Sequence, residues 1–223
     1  MILDDLEWLS LDHPLLAGRT GRGVRVAVID SGASAGHPHL PAIREGFSIA
    51  AGVIVEGFRD RLGHGTAVAA VIHEKAPAAE ILPIRIFRGA LETSPAVLVA
   101  AIDAAVERRV DIINLSLGTP NLERTAELAA SLERAVAAGI RLVSPAHHHG
   151  RPWLPGSLPG AIGVELDREL DRHEMRRSET GAWRASGYPR PIPGVDPERN
   201  LRGVSFAAAN VSGLLALVLS RPD

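Results

Sequence analysis

Five short aliphatic runs punctuate the chain: Val24–Ile29, Ile81–Ile86, Val110–Leu115, Ile140–Ser144 and Ala161–Glu165. Most lack polar alternation, which marks strands buried on both faces of a sheet. Between them the period changes. Val97, Ala101, Ile102, Ala105 and Val106 recur at helical spacing, and Leu122, Ala126, Ala129, Leu132 and Val136 form a second apolar stripe. Thr66–His73 and Ser205–Leu219 add two further helices. Strands alternating with helices predict right-handed βαβ crossovers and an α/β fold in three layers, a mainly parallel sheet with helices on both faces. From Asp167 to Arg202 charge, Pro and Gly dominate, predicting irregular surface loops with room for a short hairpin.

At 223 residues, without a low-complexity linker, the chain is expected to form one domain over 1–223. A net charge of −2 offers no broad attraction to nucleic acid, and the basic residues of Arg168–Arg177 alternate with acids, as on a solvated surface. The absence of cysteine excludes disulfides, thiolate metal sites and a thiol nucleophile. The start, MILDDLEWLSLDHPLL, is acidic where a secretory signal is basic, and no apolar run approaches a membrane span. A cytoplasmic protein without nucleic-acid or membrane partners is therefore expected. The oligomeric state is not legible.

In open parallel sheets, ligands gather beyond the carboxyl ends of the strands. The first aliphatic run ends in Asp30-Ser31-Gly32, a combination that more often makes a turn. Gly63-His64-Gly65-Thr66 opens an apolar helix, which Thr66 or a neighbour could simply cap. Gly203-Val204-Ser205 opens the last helix, with the serine at the positive end of the helix dipole. Singly, each favours the bland reading. Together, a carboxylate, an imidazole and a hydroxyl in Gly-bearing turns form a candidate nucleophilic triad.

These motifs resemble the subtilisin-like serine proteases. The resemblance is carried by GRGVRVAVIDSG around Asp30, LGHGTAVAAVI around His64, DIINLSLG ending at Gly118, LPGSLPGAIGV from Leu154 and GVSFAAANVSG around Ser205. It implies that Ser205 attacks the scissile carbonyl, His64 relays the proton and Asp30 orients the imidazole. It further implies an extended peptide or protein substrate paired along Ser116, Leu117 and Gly118, with Ser144, Pro145 and Ala146 as one wall of the primary pocket. No cofactor or metal is implied for the chemistry. The start, only about two dozen residues before the first catalytic strand, implies folding without a detachable propeptide.

The segment IRLVSPAHHHG departs from the family pattern. His148 falls where an Asn side chain normally donates to the oxyanion, and His147 replaces a glycine. Val204 stands where a threonine usually precedes the nucleophile, Phe206 and Ala209 replace Met and Pro, and His39 occupies the place of a calcium-binding Asp. Three readings of His147–His149 follow: a replacement oxyanion donor at His148, a transition-metal site, or a polar loop in a silent chain. At the level of function the readings are a serine endopeptidase working through an acyl-enzyme, a silent peptide-binding protein, and an enzyme passing its acyl group to an amine. Trp153 reads as a pocket wall or a core residue, with core packing the commoner fate of a lone Trp.

Overall fold

The computed structural model describes Leu3, residues 5–148 and 150–222, and of His148 the backbone alone. All five aliphatic runs become strands: β2 (Arg25–Asp30), β5 (Glu80–Arg85), β6 (Ile112–Leu115), β7 (Arg141–Pro145) and β10 (Ile162–Asp167). Also present are β1 (Trp8–Ser10), β3 (Phe47–Ala50), β4 (Val53–Glu56), β8 (His147–His148), β9 (Arg151–Pro152), β11 (Glu174–Arg177) and β12 (Trp183–Ser186). The helices are α1 (His64–Lys75), α2 (Pro95–Glu107), α3 (Thr125–Ala137) and α4 (Val204–Leu219).

Among the described residues, ten strands form one sheet in the order β1-β11-β12-β10-β7-β6-β2-β5-β3-β4. Every pairing from β12 to β3 is parallel, while β1, β11 and β4 are antiparallel additions at the two edges. Alternation along β2 shows why the interior runs read as continuous apolar segments. Val26 and Val28 pack into the layer containing α1 and α4, whereas Ala27 and Ile29 pack into the layer of α2 and α3. This is the expected three-layer arrangement.

Helix α4 is buried at every position from Phe206 to Val218, which is why it is apolar all round. Truncating a fully buried member such as Leu214 to Ala costs about 2–5 kcal/mol of stability. The second predicted stripe needs correction at its ends. Leu122 lies in a 3₁₀ turn ahead of α3 and is 60% exposed, and Val136 is 45% exposed.

Within Asp167–Arg202 the short hairpin is β11 with β12, followed by loops and one 3₁₀ turn. The hairpin β3–β4 had no counterpart in the pattern analysis. Its two turn residues, Ala51 and Gly52, have φ of 50° and 80°, the left-handed pair that a two-residue hairpin turn requires. Among the described residues no helix is long and apolar enough to cross a membrane.

Candidate active site

The sheet order reverses at β2: β5 and β3 lie on one side, β6 and β7 on the other. A crevice opens at such a switch point beyond the strand ends, and Asp30 closes β2 there with no exposed surface. One carboxylate oxygen accepts from the Ser31 N–H at 2.6 Å. After this turn, Ala33 pairs with the neighbouring loop, accepting from the Asp60 N–H at 3.2 Å and donating to the Phe58 carbonyl at 2.9 Å.

That loop delivers Asp60 to the start of α1. Its Oδ1 accepts from Leu62 and Gly63 N–H, each at 2.9 Å, and its Oδ2 accepts from Thr66 N–H at 2.9 Å and Thr66 Oγ1 at 2.6 Å. Asp60 therefore satisfies donors that the helix itself leaves orphaned. Burial works to raise its pKa, but these four hydrogen bonds prevail and hold the carboxyl below its ordinary value. Sequence reasoning missed this residue, because it lies three positions before Gly63, the residue at the N-cap, and outside the usual capping pattern.

Asp60 fixes α1 so that His64, its first residue, faces Asp30. His64 Nδ1 lies 2.9 Å from both Asp30 carboxylate oxygens. Gly65 makes the approach possible: a Cβ there would stand 2.3 Å from the Gly32 carbonyl oxygen. Burial opposes a charged imidazole, yet the hydrogen bond and negative charge of Asp30, helped by Asp60, raise the His64 pKa above its ordinary value. The Phe206 ring packs beside the imidazole, with centroids 5.6 Å apart.

Ser205 sits in the first turn of α4 and borders, with His64, a cavity of about 320 Å³ that also touches Phe87, Leu117, Pro145 and Trp153. Its hydroxyl donates to the Ser116 carbonyl at 2.9 Å. Beneath it runs a buried chain: Ser212 Oγ donates to Asn114 Oδ1 at 2.9 Å, Asn114 Nδ2 to Ser116 Oγ at 3.0 Å, and Ser116 Oγ to the Ser205 carbonyl at 3.1 Å. The end of β6 is thereby bound to α4. Asn114 escaped the sequence analysis because it stands inside an apolar run.

Ser116, Leu117, Gly118 and Pro145 border the cavity. Ser144 is fully buried and donates to the Leu117 carbonyl at 3.2 Å, and Ala146 is 4% exposed, so both stand behind its surface. Of the two sequence readings of Trp153, the structure favours the wall over the core: it lines the cavity and is half-buried. His147 Nδ1 lies 3.4 Å from Glu165 Oε1. The His148 side chain and all of His149, on which the oxyanion and metal readings depend, lie outside the described residues. Among the described residues, no group of three or more His, Cys, Asp or Glu side chains is placed to hold a metal ion.

The chain is similar to Subtilisin E of Bacillus subtilis (strain 168), 28% identical over 92% of this chain and 57% of that protein. It thus spans a little over half the length of this curated relative. An intracellular serine protease of Paenibacillus polymyxa is 31% identical over 89% of the chain and 67% of its own length. A solved cold adapted subtilisin-like serine proteinase shares the fold, with a TM-score of 0.73, 20% identity, and coverage of 91% of this chain and 77% of that one. Residues 21–147, which hold Asp30, His64 and the β6 segment, match the sequence model of the subtilase family, and the chain belongs to that family.

Proposed function

We propose that the protein is a serine endopeptidase that cleaves an extended peptide through an acyl-enzyme, with Asp30, His64 and Ser205 as its triad. The observation that carries this reading is the Asp30–His64 pair, with Nδ1 at 2.9 Å from both carboxylate oxygens and the ring bordering one cavity with Ser205. The carboxylate fixes the tautomer, leaving Nε2 as the basic nitrogen. For the reaction the Ser205 hydroxyl has to leave the Ser116 carbonyl for that nitrogen, by a change of χ1 rotamer.

Ser205 Oγ then bonds to the scissile carbonyl carbon while its proton passes to His64 Nε2. Collapse of the tetrahedral adduct breaks the C–N bond, and the leaving amine takes the proton from the imidazole. Water repeats the cycle and releases the acid. The Ser205 N–H, in a first helical turn with no preceding helical carbonyl to accept it, serves the oxyanion, and His148 supplies the second donor. Ser116, Leu117 and Gly118 align the substrate as an added strand. No cofactor enters these steps. The cytoplasm is the proposed compartment, in keeping with the cysteine-free sequence and the intracellular relative.

A fluorophosphonate probe tests the nucleophile: labelling mapped to Ser205, abolished in Ser205→Ala, is the expected result, with mass spectrometry of the products distinguishing hydrolysis from acyl transfer to an amine. One observation favours a second reading. The Ser205 hydroxyl is engaged with the Ser116 carbonyl. In a silent peptide-binding protein it stays there; peptide then binds without labelling or cleavage.

A further inference from the structure

Between the end of β6 and the turn after β7 the chain is stitched together. Thr119 and Leu154 exchange two backbone hydrogen bonds of 2.9 Å, Trp153 N–H donates to the Ala146 carbonyl at 2.9 Å, and Ser144 Oγ donates to the Leu117 carbonyl at 3.2 Å. Three of these bonds join the two walls that a bulky substrate side chain would have to part, and the bond from Trp153 to Ala146 holds the second wall together. The indole of Trp153 fills the seam. It lies against the bare Cα of Gly118, where a Cβ would stand 2.0 Å from Trp153 Cδ1 and 2.3 Å from Nε1.

The carbonyl carbon attacked by Ser205 carries its own Cα one bond away. The first side chain on the acyl side must therefore enter the space beside Ser205, where Pro145 and Trp153 form the boundary. Phe87 and Leu91 also line the cavity and are available to residues farther along an extended peptide, which are spaced by about 3.3–3.6 Å each.

We propose that Trp153 is the specificity-determining residue of this site: its indole occupies the volume a large side chain would need, restricting the residue that contributes the cleaved carbonyl to glycine, alanine or serine. The assignment rests on reading Ser205 as the nucleophile. The indole packs closely on Gly118, and spreading the walls to make room breaks the bonds of the seam. Against such a wall, a single surplus methylene discriminates by about 10–200-fold.

Two peptides identical except for alanine or phenylalanine at the acyl side of the scissile bond provide the test. Their kcat/KM is measured with the intact protein, and their Kd with Ser205→Ala by calorimetry. Alanine is expected to be favoured at least tenfold in both, and Trp153→Ala to erase or invert the preference. Equal or better use of the phenylalanine peptide, an unchanged preference in folded Trp153→Ala, or binding of neither peptide overturns the assignment. Absence of turnover with the binding preference intact refutes hydrolysis and leaves the role of Trp153 standing. If Trp153→Ala does not fold, the wild-type preference and the smaller truncation Trp153→Leu decide.

Discussion

Lys75 Nζ donates to Asn210 Oδ1 at 2.6 Å in the interior, joining the last residue of α1 to the middle of α4. These are the helices that begin at His64 and next to Ser205, so a buried polar contact ties together the supports of the proposed base and nucleophile. Asn210 in turn donates to the Ser186 and Tyr188 carbonyls at 2.8 and 3.2 Å. Glu74 Oε2 lies 4.0 Å from the ammonium.

The pH dependence of stability follows from this burial. Removal from water lowers the Lys75 pKa from 10.5 to about 7, with Arg172 adding to the shift and Glu74 and Asp171 opposing it. Between about pH 7 and 10.5 the unfolded chain holds the proton that the folded chain has released, so this group makes stability rise with pH across that window. Urea denaturation from pH 7 to 9.5 is expected to show a positive slope that Lys75→Met reduces. An identical slope in the variant would contradict it.

Because Asp30 raises the His64 pKa above 6.5, the imidazole becomes a neutral base only at higher pH than a free histidine. The ascending limb of kcat/KM against pH is expected to have its midpoint above 6.5. Asp30→Asn removes the hydrogen-bonding charge, moving that midpoint downward and lowering kcat by about 10⁴ through loss of the correct tautomer. An unshifted midpoint in the variant would separate the measured titration from His64.

Asp60→Ala leaves the donors of Leu62, Gly63 and Thr66 without their buried acceptor, and is expected to lose about 2 kcal/mol, at the upper end for a helix cap. The native carboxyl has its pKa held below 3.8, so its contribution is present above that pH and vanishes as pH falls through the folded value. Acid unfolding is therefore expected at lower pH in the wild type than in the variant, as followed by circular dichroism.

His148→Ala tests the replacement donor. Removing one oxyanion hydrogen bond costs about 10²–10³ in kcat, with KM little changed, whereas a histidine in a mere polar loop leaves turnover intact. Steady-state kinetics with a single peptide suffices to distinguish the two.

The sequence by itself determined the layers and the order of the candidate triad. Strands such as β2 and β6 are legible because burial on both faces imposes a continuous apolar run, and Asp30, His64 and Ser205 stand out because each follows such a run or opens an apolar helix. Tertiary structure decided what local pattern cannot encode. Lys75 lies beyond the predicted helix Thr66–His73 and is buried only because α4 covers it, Asp60 becomes a cap only when Ala33 pairs with its loop, and exposed β4 lacks the alternation that would announce a strand. Trp153 leans toward core by type, yet its place over Gly118 accompanies its own hydrogen bond to Ala146 and the pairing of its neighbour Leu154 with the remote Thr119. Periodicity reports the average burial of a segment, whereas the partner a side chain meets is fixed by sheet order and loop closure across tens to more than a hundred residues.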